Sequence, residues 1–370
     1  MLFADVLEIK NGRNQRAVEN PNGAYPIYGS GGIMGYADDF ICQAQTVVVG
    51  RKGNINKPLF VDVPFWNVDT AFGLEAKRNV LLPKYLYYFC LRYDFERLNK
   101  AVTIPSLTKT DLLKIEIELP NLSVQKDIVS RLESIERIIS IRQRQFRTLD
   151  TLIKARFVEM FGDPADNINR HMKVSVKEAV ERGYIYKPLD GNHGEKHPKA
   201  SEYVEDGIPF VMANNLVDGK VDYANCAKLK KERTDKLDKG FAHDRDVLIT
   251  HKGTIGRTAI VHTDLEYIML TPQVTYYRPR SRVVSEYLKG YFDTDYFQGE
   301  IKKMAAAGGS TRAYVGITNQ LELPLIIPGF ECQKVFACFA KQIDKSKVAV
   351  QAALEKAQLL FDSLMQQYFN

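Results

Sequence analysis

Residues 125–161 read QKDIVSRLESIERIISIRQRQFRTLDTLIKARFVEMF, and the fold turns on this stretch. Ile128, Leu132, Ile135, Ile139, Phe146, Leu149, Ile153 and Met160 recur at alternating four- and three-residue steps, with Arg142 and Arg156 completing the series. A heptad repeat held this long is a coiled-coil seam. Pro120 lies just before it, and Gly162 and Pro164 close it, as helix boundaries should. At 1.5 Å per residue the helix spans about 54 Å, too long to bury in one compact domain. Such a seam needs a partner.

The partner is at the other end of the chain. Gln333–Phe369 holds no Gly or Pro, and Val335, Phe339, Ile343, Val350, Ala353, Ala357, Leu360 and Leu364 share one face. Its alanine-rich middle (Ala349, Ala352, Ala353, Ala357) complements the bulk around Phe146 and Leu149. The spacing predicts an antiparallel helix pair, because roughly 170 residues separate the two stretches.

The chain before each helix repeats itself. Val47-Val48-Val49-Gly50-Arg51-Lys52-Gly53-Asn54 returns 200 positions later as Val247-Leu248-Ile249-Thr250-His251-Lys252-Gly253-Thr254. Pro83–Phe89 resembles Ser285–Phe292, and the Ile/Leu-Pro run at 115–120 followed by Gln125 returns at 323–328 followed by Gln333. Lys114–Leu119 reads as a strand, Pro83–Leu91 as a helix opened by proline, and Tyr25–Gly32 as a glycine-rich loop. The predicted order is an α+β globule at 1–124, a helix at 125–161, a second globule at 171–330 and a helix at 331–370. This is a duplicated, pseudo-twofold arrangement. Near the helix ends Leu152 matches Leu364 at an offset of 212, where earlier elements match at 208, which predicts a slip of about one turn. Two heads on such a rod could read sites no more than roughly 16 base pairs apart.

Composition sets the outer bounds. The 370 residues carry 51 basic and 45 acidic side chains, a net charge of +6 that leans towards an anionic partner without naming one. Five cysteines (Cys42, Cys90, Cys226, Cys332, Cys338) include no CxxC pair and fit a reduced intracellular chain. Residues 1–5 lack the basic and apolar pattern of a signal peptide, and no apolar run reaches a membrane span, so a cytoplasmic location is expected. There is no Pro-Pro pair for an adenine-methylating loop and no GxxxxGK[ST] phosphate loop. His193 and His197, four apart, lie among Gly and Pro and read as ordinary loop residues, not a metal site. No catalytic residue and no metal ligand is expected.

DNA readers need cations for phosphates and amides or guanidinium groups for base edges. Arg51, Lys52 and Asn54 in the first globule, and Lys252 and Thr254 in the second, supply this mixture at equivalent places. Tyr28, Ser30 and Tyr36 are further candidates in the first head, and Asn192, Lys196, Asn214, Asn215 and Arg312 in the second. Arg142 and Arg156 read instead as seam residues with their stems along apolar surface. Most of the 19 Tyr and 19 Phe sit in apolar runs, which favours a duplex reader over a single-strand binder.

The order of globule, Ile/Leu-Pro run, Gln and long helix, given twice, resembles the specificity (S) subunit of type I restriction–modification systems. Tyr25–Gly35, Ile104–Leu107, Gly191–Pro198 and Gly309–Val315 resemble elements of its target recognition domains. The resemblance implies two target recognition domains, each reading half of a bipartite duplex DNA sequence. It implies a spacer set by the coiled coil. It further implies two methyltransferase subunits that hold S-adenosylmethionine, and a separate motor–nuclease subunit. The chain itself would hold no cofactor and catalyse nothing. The rival expectation is a coiled-coil adaptor that binds proteins and not DNA.

Overall fold

The computed structural model describes residues 1–99, 104–166, 171–307 and 313–369. It divides into two compact units, one of Met1–Arg144 with Val350–Asn370 and one of Gln145–Ala349. The long helices run over Leu122–Phe161 and Phe330–Tyr368. No helix among the described residues is long and apolar enough to cross a membrane.

The first unit is built on a four-stranded antiparallel sheet in the order Leu7–Asn11, Ala71–Ala76, Thr46–Gly50, Leu59–Val61. Thr46–Gly50 is buried along its whole length. Val47 and Val49 enter the main core, whereas Val48 enters a separate cluster with Cys42 and Phe65. A strand covered on both faces reads as an unbroken apolar run, which is why TVVVG is legible. Tyr25–Gly29, expected to be a loop, instead forms a hairpin with Gly32–Ala37 and pairs in parallel with Trp66–Asn67. The expected strand at 114–119 shrinks to a bridge between Leu2 and Glu116, flanked by Phe3 donating to the Ile115 carbonyl and Ile117 donating to Met1.

The second unit repeats these pairings. Leu248 faces Ala259 as Val48 faces Leu59, and Thr250 faces Val274 as Gly50 faces Ala71. Phe210 and Val211 pair in parallel with Met269 and Leu270, as Ile27 and Tyr28 pair with Trp66 and Asn67. Here the closing segment is a full strand, Pro324–Ile327 against Met172–Ser175.

Each unit fixes its long helix in the same way. Gln125, fully buried, accepts from the Leu82 N–H at 2.9 Å and donates to the Val80 and Pro120 carbonyls, both at 2.9 Å. Gln333, also fully buried, accepts from Val284 at 3.0 Å and donates to Arg282 and Pro328 at 2.9 Å. The tyrosines of the adjoining helices copy each other too. Tyr85 donates to the Glu118 carbonyl at 3.2 Å and Tyr287 to the Ile326 carbonyl at 2.6 Å.

Within the first unit, Ile128, Val129 and Leu132 share a core with Met365 and Phe369. Within the second, Phe157 and Phe161 share one with Phe336 and Ala340. Asp150 pairs with Lys347, Arg156 lies 5.8 Å from the Phe339 ring, and Phe157 lies 5.5 Å from Phe336. Ascending numbers on one helix thus meet descending numbers on the other, and the pair is antiparallel.

The seam of the first helix is buried or half-buried at every expected position, Arg142 and Arg156 included. On the second helix Phe339, Ile343, Val350, Ala353, Ala357 and Leu364 are likewise buried or half-buried, and the expected face fails only at two positions. Val335 is 54% exposed and Leu360 52%, whereas Phe336 is fully buried, because its ring packs against Phe157 and Phe161. The expected slip near the helix ends does not occur. Phe161 packs on Tyr287 at 4.9 Å and Phe369 on Tyr85 at 4.9 Å. Phe161 and Phe369 are 208 positions apart, the same offset as Gln125 and Gln333.

Replacing Gln125 by Ala strands one buried N–H and two carbonyls. The expected loss is on the order of 3 kcal/mol, from buried polar groups left unpaired. Chemical denaturation followed by fluorescence should show the first unit melting early; an unchanged profile would remove the glutamine from its structural role.

Candidate nucleic-acid interface

In the first unit, the buried strand Thr46–Gly50 runs out into a tight exposed turn. Arg51 and Lys52 donate their N–H groups to the Thr70 carbonyl at 2.8 and 3.2 Å, and Gly53 donates to Pro105 at 3.0 Å. Leu107 donates back to the Arg51 carbonyl at 2.9 Å. In the second unit His251 donates to Gln273 at 2.9 Å, Gly253 to Ala313 at 3.0 Å, and Val315 back to His251 at 2.9 Å. Isolated bridges join Lys52 to Ser106 and Lys252 to Tyr314. Gly53 and Gly253 have φ of +80° and +78°, where a side chain would be strained. Two turns of separate sequence therefore share three backbone bonds and a bridge, and the Lys52 bond to Thr70 is particular to the first.

Arg51, Lys52 and Asn54 are exposed, as are Lys252 and Thr254. The Arg51 guanidinium lies 5.8 Å from the Phe72 ring and Lys252 lies 5.9 Å from the Tyr314 ring. Ser30, half-buried, sits at the tip of the first unit's hairpin against this turn, 3.1 Å from where a Cβ on Gly50 would lie. Tyr28 is half-buried with its ring 5.3 Å from Phe65, and Tyr36 is 46% exposed.

In the second unit Asn214 is exposed, and Lys196 is exposed and paired with Asp238. Two asparagines are instead spent on the fold. Asn192 is 4% exposed, donating to the Lys239 carbonyl at 2.6 Å and accepting from the Asp238 N–H at 3.2 Å. Asn215, 2% exposed, accepts from Met212 at 2.9 Å and donates to Asn225 at 3.1 Å. Arg312 lies outside the described residues.

His251, which the sequence places in the second basic turn at the position of Arg51, is instead fully buried. Its Nδ1–H donates to the Val315 carbonyl at 2.8 Å, which leaves Nε2 without a hydrogen-bond partner, 3.8 Å from Asp190. Asp190 is itself held by His193 at 2.6 Å and by Lys239. Burial pushes the His251 pKa below its usual 6.5, against the opposing pull of the Val315 carbonyl and Asp190. His193 and His197 flank a short 3-10 turn, Gly194–Lys196, and no group of His, Cys, Asp or Glu among the described residues could hold a metal ion.

A duplicated α+β chain with an exposed basic turn on each unit and a long helix after each head defines a class of two-headed recognition scaffold. Residues 3–149 match the family model of the type I restriction modification DNA specificity domain. The chain is 23% identical over 315 residues to the type I restriction enzyme MjaVIII specificity subunit of Methanocaldococcus jannaschii, covering 81% of this chain and 70% of that protein. It is likewise 23% identical over 317 residues to a putative specificity subunit of Haemophilus influenzae, covering 83% of this chain and 77% of that one. The crystal structure of the S subunit from M. genitalium shares the fold, with a TM-score of 0.65 at 16% identity, covering 100% of this chain and 95% of that one. Over most of its length the chain is thus similar to type I restriction–modification specificity subunits, with the family's DNA specificity domain matched over residues 3–149.

Two outcomes test this surface. Lys52→Ala and Lys252→Ala should each flatten the slope of log K against log salt by about one, with similar losses on all sequences, because each lysine neutralises about one phosphate. Unchanged slopes would take both turns off the DNA. For His251 the folded pKa is depressed, so the unfolded chain binds the extra proton. Stability is then present above the unfolded value of 6.5 and lost as pH falls below it. Denaturation midpoints between pH 7.5 and 5.5 should drop more steeply for the wild type than for His251→Gln.

Proposed function

We propose that this chain is the DNA-sequence specificity subunit of a type I restriction–modification enzyme and that each head reads one half of a split duplex target. The observation that carries the reading is the turn that follows the buried strand in each unit, held by three matching backbone bonds and a matching bridge and presenting exposed Lys52 and Lys252. Its cations suit phosphates, which position a reader, and polar neighbours such as Asn54, Thr254 and Asn214 suit base edges, which specify the sequence.

Residues 1–124 and 171–330 would be the two target recognition domains. The helices at 125–161 and 331–370 would set the spacer and dock two methyltransferase subunits. Those subunits would supply S-adenosylmethionine and methylate adenine, and a motor–nuclease subunit would cut. The chain makes and breaks no covalent bond in this scheme; its work is to hold two readers in register.

Domain exchange tests the reading. Replacing residues 171–330 by the equivalent segment of a relative should change one half-site and leave the other. Adding seven residues to each long helix, about 10 Å, should widen the spacer by about three base pairs. Exchanges that alter neither half-site nor spacer would contradict it.

A further inference from the structure

We infer that Ile33 and Met34 form an apolar wedge that enters the duplex beside the phosphate-gripping turn Arg51–Asn54. This rests on the DNA-reading function above and adds a contact that a basic turn alone cannot make. Ile33 is 57% exposed and Met34 61%, two consecutive apolar side chains left outside a unit whose strand Thr46–Gly50 is buried along its whole length.

The hairpin backbone explains the display. Its register shifts between Ile27 and Tyr28, so that Tyr28 pairs with Ile33 while Ile27 pairs with Gly35. Met34 is left between the two pairs, and consecutive apolar residues both face outwards. The Met34 sulfur crosses Gly29 so closely that a Cβ there would lie 2.6 Å from it. Around Gly31 and Gly32 a Cβ would meet nothing within 4 Å, so the tip is thin. It is also well founded, because Ile27 is buried and its strand, Tyr25–Gly29, lies between the outer strand and Trp66–Asn67.

Charge decides the occupant. The tip residue Ser30 lies against the turn that carries the exposed Arg51 and Lys52, 4.0 Å from where a Cβ on Gly53 would sit. Of the acidic groups near the hairpin, Asp38 lies beyond its far end, held by Asn20 at 2.9 and 3.0 Å. Glu19 lies along the outer strand beside Gly35, next to Met34. A thin apolar tip set against a turn with exposed Arg51 and Lys52 fits a polyanion whose interior is apolar, which is duplex DNA. Ile and Met are side chains that DNA-bending proteins insert between base steps. Unstacking there would also ease extrusion of a base for chemistry elsewhere in the complex. After the equivalent strand Ile208–Val211, the second unit turns into Ala213–Asn215 with Asn214 exposed. The wedge therefore belongs to the half-site read by the first unit.

The test uses the full chain co-purified with its methyltransferase subunits on the mapped target. 2-Aminopurine replaces, one at a time, bases of each half-site and its flanks other than the methylated adenine. The wild type should show a several-fold fluorescence rise at one step of one half-site. The double variant I33S/M34S should lose that rise at saturating protein, while R51A/K52A should weaken binding and keep the rise once bound. Ile33 and Met34 are exposed, so the serine variant should fold, and gel filtration should show it still assembled with the methyltransferase subunits. A rise that survives in I33S/M34S, or is absent from a wild type that binds its target, overturns the wedge alone. Loss of the methyltransferase subunits from I33S/M34S makes the tip a protein contact and also overturns it. A wild-type complex that binds no DNA overturns the function on which the wedge rests.

Discussion

A buried glutamine amide at the start of each long helix holds the rest of each unit in place. Glutamine offers one acceptor and two donors at the end of a short stem. Gln125 uses them on Leu82, Val80 and Pro120, and Gln333 on Val284, Arg282 and Pro328. The contacts join the loop before a head helix to the exit of the closing segment and the first turn of the long helix. No water can replace a lost bond there, so turning the helix against its head costs several bonds together. Aromatic packing sets the opposite helix ends, with Phe161 on Tyr287 and Phe369 on Tyr85. The length between these fixed points is what gives helix register a meaning.

Much of this frame was legible because it is periodic or repeated. The heptads at 128–160 mark the seam, and the recurrence of a valine-rich run, a tyrosine helix and a Pro-then-Gln signal marks the two heads. The first helix follows its heptads closely. The second departs from its expected face at Val335 and Leu360, and near its start the Phe336 ring takes the buried place by packing with Phe157 and Phe161. The glycine-rich stretch at 25–32 hid a hairpin, since its strand pairing depends on Trp66–Asn67, nearly forty residues away.

The site was legible only in part. Arg51, Lys52, Asn54, Lys252 and Thr254 follow strands whose ends the apolar pattern fixes, and all are exposed. Asn192 and Asn215 share the composition of base-reading residues, yet their amides hold backbone groups of their own unit. Residue type alone cannot separate these cases, because an asparagine that stabilises a loop and one that meets a base differ only in what surrounds them. The burial of His251 was hidden for the same reason. This histidine stands where the first head has an exposed arginine, and its burial comes from packing under the turn. The fold repeats its frame and varies what it presents, an exposed Arg51 in one unit and a buried His251 in the other.

The most direct measurement is to co-express the chain with a methyltransferase subunit of its kind and map methylated adenines across the host genome. Two short sequences separated by a fixed gap, appearing only when both proteins are present, are the predicted result. A stable complex that adds no methylation, or that methylates one continuous sequence, would contradict two heads reading one split target.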